Sequence, residues 1–205
     1  MKVLDLFCGV GGASAGYEQA GHDVVGVDIR HQPHYPYAFH WDDALEFPLD
    51  GFDLVHASPP CQRFSTGAAS WGTSLKHPDL IGPIRERLIQ WGGPYVIENI
   101  PLAPLRDPVM LCGDQFGLGV FRHRNFETSF PATAPKHQRH TGRIGDGRFF
   151  TVAGHCGGSS SRDGWTGGSL SEWQKAMGGI NWANSRELAQ AIPPAYTKFI
   201  AEQIQ

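Results

Sequence analysis

Short apolar runs, each closed by a glycine, a proline or an acid, recur through the first half of the chain. Lys2 to Phe7 reads as a buried strand, a helical stretch follows from about Ala13 to Ala20, and Asp23–Asp28 is a second strand ending in a carboxylate. Phe52–Ala57 is a third strand. Pro59-Pro60 stops it, because neither proline can donate to a sheet ladder. His77 to Trp91 carries Leu80, Ile81, Ile84, Leu88 and Trp91 at helical spacing, and Gly92-Gly93-Pro94 ends it. Tyr95-Val96-Ile97 is a further strand, presenting Glu98-Asn99 at its end. Near the C-terminus, Leu170–Met177 and Ser185–Gln205 read as two helices, with Tyr196, Phe199, Ile200 and Ile204 apolar on one face. Strands alternating with helices predict an α/β, Rossmann-like architecture: a mostly parallel sheet with helices on both faces.

The first strand runs into Cys8-Gly9-Val10-Gly11-Gly12, and the second ends at Asp28. Strand, glycine turn, helix, strand and acid form the unit that binds nucleotide-like ligands. Its glycines admit a ligand close to the backbone, and the carboxylate can grip ribose hydroxyls. No Gly-Lys-Ser/Thr phosphate loop is present, and Asp5 just before the turn is an awkward neighbour for a pyrophosphate. A carboxylate there suits a cationic group, such as the amine or sulfonium of S-adenosylmethionine. After His40-Trp41-Asp42, Asp43 can accept an adenine amino hydrogen.

Cys61 follows Pro59-Pro60 at a strand end, the edge where open α/β sheets hold their ligands. The Ser-Thr-Gly-Ala-Ala-Ser run at 65–70 then reads as a mobile loop. A cysteine so placed fits a nucleophile under a lid, or a small buried core residue. Glu98 ends the strand after it, either as a solvated carboxylate or as a second working group.

At 205 residues the chain suits one domain with a small appendage, and no apolar run reaches membrane-spanning length. Cys8, Cys61, Cys112 and Cys156 are scattered, against a disulfide framework or zinc ribbon and in favour of a reduced, cytoplasmic protein. His137, His140, His155 and Cys156 do not make a zinc spacing, so no metal is expected and these histidines read as phosphate-facing or solvated. The net charge of −3 hides an asymmetry. Acids crowd residues 1–60, whereas Arg122, Arg124, Lys136, Arg139, Arg143 and Arg148 crowd 121–148, fitting either a polyanion-binding face or a solvated basic loop.

Five motifs, in order, resemble those of the cytosine-C5 DNA methyltransferases. They are Asp5-Leu6-Phe7-Cys8-Gly9-Val10-Gly11-Gly12, Pro60-Cys61-Gln62-Arg63-Phe64-Ser65, Glu98-Asn99-Ile100, Arg122-His123-Arg124-Asn125-Phe126 and Gln190-Ala191-Ile192-Pro193-Pro194. The resemblance implies a class I methyltransferase fold using S-adenosylmethionine. It casts Cys61 as the nucleophile on cytosine C6, Glu98 as the group at N3, Arg124 at O2, and Arg122 and Asn99 in support. By the same carry-over Phe7, Gly9, Val10, Gly11 and Gly12 line the cofactor site and Asp28 binds ribose. Ile29 packs near adenine and Asp43 contacts it, Pro60 and Leu80 border the site, Gln190 meets the amino-acid end, and Ala44, Ala191 and Ile192 complete the cofactor-binding set. Arg63 and Ser65, with Lys136, Arg139, Arg143 and Arg148, are expected to face nucleic acid. The implied partner is double-stranded DNA with a flipped base, no membrane is involved, and the chain is expected to be monomeric. RNA or a free nucleotide is the alternative substrate, and a non-catalytic binding homologue the alternative role.

Three positions depart from the family pattern. Val120 stands where the arginine motif usually has glutamine, Pro59 where an aromatic or apolar residue is usual, and Gln190 where asparagine is usual. The expected division is a catalytic part at 1–124 plus 171–205, with a small glycine- and serine-rich target-recognition insertion at 125–170.

Overall fold

The computed structural model describes residues 1–204 apart from Trp71, Thr141, Arg143, Gly145, Asp146 and 153–167, with the backbone alone at Gly67, Ala68 and Ser74. Seven strands form one sheet: β1 (Lys2–Leu6), β2 (Asp23–Asp28), β3 (Ala38–Trp41), β4 (Leu54–Ala57), β5 (Tyr95–Asn99), β6 (Val109–Leu111) and β7 (Arg124–Thr128). Their order is β3-β2-β1-β4-β5-β7-β6, with β1 to β5 parallel and β7 antiparallel to both neighbours. The helices are α1 (Gly12–Gln19), α2 (Thr66–Ser70), α3 (Ile81–Trp91), α4 (Leu170–Ala176), α5 (Ser185–Gln190) and α6 (Pro194–Ala201). No helix among the described residues is long and apolar enough to cross a membrane.

Three differences from the sequence expectations have physical causes. The run after Cys61 forms the short helix α2 rather than an open loop, and the Ser70 hydroxyl donates to the Thr66 carbonyl at 2.8 Å. The C-terminal helical stretch is two helices, because Pro193-Pro194 break it and Pro194 then sits at the start of α6. The arginine motif enters strand β7, so the sheet continues through Thr128 into the segment expected to be an insertion. Strands β3, β6 and β7 are short, and three to five residues show too little alternation to be read from sequence.

Alternation along each strand sorts residues onto two faces. On one face Leu4, Leu6, Val55 and Ile97 pack against Ile84 and Leu88 of α3. On the other, Val3, Leu54, Val96 and Phe126 pack against Tyr17 of α1 and Tyr196 and Ile200 of α6. A third cluster joins Val10, Val120 and Val152 to Trp173, Met177 and Leu188, so Val120 serves packing where the family pattern has a polar residue.

The last motif lies against the first. A Cβ on Gly12 would sit 2.4 Å from the Ile192 carbonyl oxygen, so only glycine lets α1 begin this close to the Ala191–Ile192 segment. The Thr197 hydroxyl donates to the Ala13 carbonyl at 2.8 Å, and the Trp182 indole N–H donates to the Val10 carbonyl at 2.8 Å. Gly12→Ala is therefore expected to cost about 1–3 kcal/mol by overpacking, read as a lowered midpoint in thermal unfolding.

Candidate active site

The strand order reverses direction at β1, and open α/β sheets bind ligands in the crevice beyond the strand ends at that point. Leu6 is paired with Ala57 across β1 and β4, and Ala57 with Ile97 across β4 and β5. The glycine turn, Ser58-Pro59-Pro60-Cys61 and Glu98-Asn99 therefore emerge side by side. Phe7 leaves β1 with φ 60° and Arg122 precedes β7 with φ 36°, left-handed conformations that non-glycine residues adopt at a cost and that cluster at working sites.

Cys61 is half-buried at the start of a 3-10 turn, Gln62–Phe64. Burial pushes its thiol above the ordinary cysteine value; Arg124 and Arg122 oppose that and Glu98 adds to it. The Asn99 amide donates to the Pro59 carbonyl at 2.8 Å, tying the Pro-Pro-Cys loop to the end of β5. Arg124 Nε lies 3.0 Å from Glu98 Oε1. Burial raises the Glu98 carboxyl, opposed by Arg124, the Ser58 hydroxyl and Arg122. Arg122 is half-buried, and desolvation of its guanidinium lowers it to about 9. Its guanidinium donates to the carbonyls of Val152 and Ala189, so it braces the arginine loop against α5.

Behind Glu98 runs a polar chain that the sequence does not predict. The Tyr17 hydroxyl lies 3.0 Å from His56 Nδ1, and His56 Nε2 lies 2.9 Å from the Ser58 hydroxyl, which meets Glu98. Burial lowers His56 to about 3, so its imidazole is neutral and one nitrogen carries the proton. Tyrosine donating to Nδ1, Nε2–H donating to Ser58 and Ser58 donating to Glu98 make one consistent direction. The sequence signal is one polar residue set among apolar neighbours on each of three strands: Asp5, His56 and Glu98 share the sheet face of Val3, Leu54 and Val96, which packs against α1 and α6.

Asp5 is fully buried. Its Oδ2 accepts from the Ser14 hydroxyl at 2.5 Å, Ser14 lies 2.7 Å from the Tyr35 hydroxyl, and Oδ1 has no partner among the described residues. At the end of β2, Asp28 accepts from the backbone N–H groups of Gly9 at 3.0 Å and Arg30 at 2.9 Å. Ile29 beside it is 65% exposed, an apolar side chain that a planar ring would cover. Asp43 Oδ1 accepts from Leu45 N at 2.8 Å, Ala44 is buried in the α3-side core, and half-buried Leu80 precedes α3. Pro60 is exposed beside Cys61, Gln190 is exposed at the end of α5, and Ala191 and Ile192 are buried against α1.

The family model for C-5 cytosine-specific DNA methylases matches residues 1–97. Over those residues, just under half of its length, the chain is similar to the cytosine-C5 methyltransferase family. Type II methyltransferase M.AplI of Arthrospira platensis is 34% identical over 80 residues, 35% of this chain and 23% of the relative. M.HgiCI of Herpetosiphon aurantiacus is 30% identical over 117 residues, 49% of this chain and 27% of the relative. The match thus spans about a quarter of the length of those relatives. Among solved structures, Entamoeba histolytica methyltransferase EhMeth superposes with a TM-score of 0.62 at 12% identity, over 98% of this chain and 97% of that one. S. pombe Dnmt2 methyltransferase gives 0.60 at 13% identity, again over 98% and 97%. At such identity these likenesses show the class I methyltransferase fold.

Cytosine-C5 methyltransferases use S-adenosylmethionine, and the residues here fit that group. The Asp5 oxygen without a partner among the described residues offers an anion to a cationic ligand, the space beside Gly9 is open to backbone approach, and Asp28, which accepts from the Gly9 N–H, and exposed Ile29 lie beside that opening. Of the expected nucleic-acid contacts, Arg63 lies in the 3-10 turn after Cys61 and Ser65 follows that turn, while Lys136, Arg139 and Arg148 are exposed. The Arg148 guanidinium lies 5.1 Å over the Phe149 ring. Arg143, His155 and Cys156 fall outside the described residues. His137 and His140 do not face solvent as isolated groups: they meet His123 and Cys112.

Proposed function

We propose that this chain transfers a methyl group to C5 of cytosine in DNA through a covalent bond between Cys61 Sγ and C6 of the base. The observation that carries this is the convergence of Cys61, Glu98 and Arg124 on adjacent strand ends, beside the glycine turn, in a chain similar to this family. S-adenosylmethionine, when bound, supplies an electrophilic methyl on a sulfonium.

C5 of cytosine is too weak a nucleophile to take that methyl unaided. The Cys61 thiol loses its proton, the sulfur bonds to C6, and the electron pair of the C5–C6 double bond becomes available at C5. Glu98, held high by burial, donates its proton to N3 and so neutralises the ring as the adduct forms. Arg124 directs fixed N–H donors towards O2. After transfer the C5 proton is lost to solvent, and the C5–H electron pair re-forms the C5–C6 double bond as the S–C6 bond breaks. N3 returns its proton to Glu98, and the aromatic ring and the Cys61 thiolate return. These atoms cannot be reached inside a duplex, so the base is flipped into the crevice. Residues between β7 and α4 form the target-facing segment, with Lys136, Arg139 and Arg148 against phosphates and Arg63 and Ser65 near the flipped base.

A segment this short places few side chains on base edges, so we expect a recognition site of about two to four base pairs. Bisulfite sequencing of host DNA after expression tests base, activity and context together. Unconverted cytosines in one short context are the expected result. Converted DNA, with methyl transfer found only on RNA or on deoxycytidine nucleotides, overturns the substrate; no transfer to any of the three overturns the enzyme.

A further inference from the structure

Cys112 follows β6 and His123 precedes β7, and the antiparallel pairing of Leu111 with Arg124 brings the two side by side at one end of the ladder. His137 and His140 arrive from a strap without regular structure, held at Pro135 by the Gln115 amide at 2.5 Å. Three imidazoles present the same atom to one point. His123 Nε2 lies 3.1 Å from His137 Nε2, His137 Nε2 lies 3.2 Å from His140 Nε2, and His140 Nε2 lies 3.3 Å from Cys112 Sγ. All four atoms fall within 4.8 Å of one another.

Hydrogen bonding serves this cluster poorly. A ring nitrogen either carries one proton or offers one lone pair, so His137 Nε2 cannot donate to one neighbour and accept from the other. A cation at the centre satisfies every lone pair at once. Zinc takes nitrogen at about 2.0–2.1 Å and thiolate at about 2.3 Å, which sets tetrahedral ligand atoms about 3.3–3.6 Å apart. The three short contacts are already close to that spacing. The His140 ring is stacked on Phe121 with centroids 3.8 Å apart and planes 1° apart, and Phe121 stacks on Phe149, so the ligand is oriented before any ion arrives. The Cys112 sulfur accepts from the Gln115 backbone N–H, a donor that favours thiolate.

We propose that Cys112, His123, His137 and His140 bind one Zn2+ in a closed, four-coordinate structural site. One thiolate with three imidazoles suits zinc, and the absence of carboxylate or carbonyl oxygen from the set disfavours magnesium and calcium. With four protein ligands no position remains for water, so the ion cross-links rather than catalyses. Binding releases the Cys112 proton to solvent. The ion staples the strap after β7 to the sheet edge, the role metals take where a segment has little apolar core of its own. Lys136 and Arg139, exposed beside the two strap ligands, are then presented in fixed positions. That last consequence rests on the DNA reading above; the metal site does not.

Metal analysis of the purified full chain tests the site without reference to activity. We expect about one zinc per chain, and little in His137→Ala/His140→Ala, whose changes lie on the strap rather than in the core. Cobalt replacement is expected to give tetrahedral visible bands with a thiolate-to-metal charge-transfer band that Cys112→Ser removes. Chelation is expected to expose residues 129–140 to protease while the circular dichroism of the sheet and helices persists. Zinc absent from the unaltered chain, or undiminished in the double variant, overturns the proposal. So does loss of DNA affinity by that variant in a protein that holds no zinc, which makes the histidines phosphate contacts. Zinc bound as expected with no transfer to DNA leaves the site standing and overturns only the function above.

Discussion

Cys61→Ser is expected to reduce methyl transfer by more than about 10³-fold, over 4 kcal/mol at 1.36 kcal/mol per tenfold. S-adenosylmethionine binding should stay close to that of the unaltered chain. Serine keeps the shape and the hydrogen-bonding capacity of the side chain but is a far poorer nucleophile towards C6. The side chain lies on the loop after β4, whereas Asp5, the glycine turn and Asp28 belong to β1 and β2, so cofactor binding has no reason to follow it down. The covalent step has its own signature. A duplex with 5-fluorocytosine at the target should trap the chain, because fluorine at C5 cannot depart as the proton does. The trapped peptide should contain Cys61. Cys8 and Cys112 are buried with thiols pushed up by that burial, and an adduct on either would sink the assignment. Because burial also raises Cys61, its alkylation should climb about tenfold per pH unit through the neutral range and beyond the ordinary thiol value. A rate that levels off below that value would mean a thiolate already formed at rest.

Much of this site is legible in the sequence because its parts sit where regular elements begin and end. Strand β2 falls at 23–28 as its pattern predicts, and the glycine turn, Asp28, Pro59-Pro60-Cys61 and Glu98 all mark strand ends. Punctuation by glycine and proline is a local signal. What the sequence hides depends on neighbours far apart in the chain. His56 stands in an apolar strand and reads as an oddity until Tyr17 and Ser58 flank it. Arg122 and Arg124 look alike in sequence, but one is spent on the carbonyls of Val152 and Ala189 while the other pairs with Glu98. Asn99, expected among the catalytic residues, holds the Pro59 carbonyl and so fixes the loop that carries Cys61. For the histidines, the spacing of His137, His140, His155 and Cys156 along the chain makes no zinc pattern, whereas the β6–β7 pairing brings Cys112 and His123 to His137 and His140.

Asp5→Asn is expected to act in opposite directions on stability and on cofactor affinity. The Asp5 carboxyl is raised from 3.8 to about 7, first by burial and further by Asp28 and Glu98, against the lowering effect of Ser14. Tyr35, Tyr17 and Cys8, packed nearby, are themselves pushed up and stay neutral. A carboxyl raised on folding binds its proton more tightly in the native chain. The stability this gives is complete below 3.8 and is lost as pH rises through about 7. Above that, the ligand-free chain holds a buried carboxylate with one oxygen unpartnered among the described residues, at a cost of up to about 4 kcal/mol by linkage. Asparagine keeps an acceptor for Ser14 and removes the charge. At pH 8 the unfolding midpoint of the ligand-free variant should therefore rise, by about 2–4 °C per kcal/mol recovered for a chain of this size. Near pH 4 the two proteins should melt alike. Affinity for S-adenosylmethionine should fall by roughly 1–3 kcal/mol, the scale for losing a hydrogen bond or ion contact to a charged group, and should cease to tighten between pH 6 and 8. Calorimetry at both pH values, beside thermal melts, separates the two effects. A variant less stable at every pH would make Asp5 a structural residue. One that binds the cofactor unchanged would leave its free oxygen without the cationic partner assigned to it.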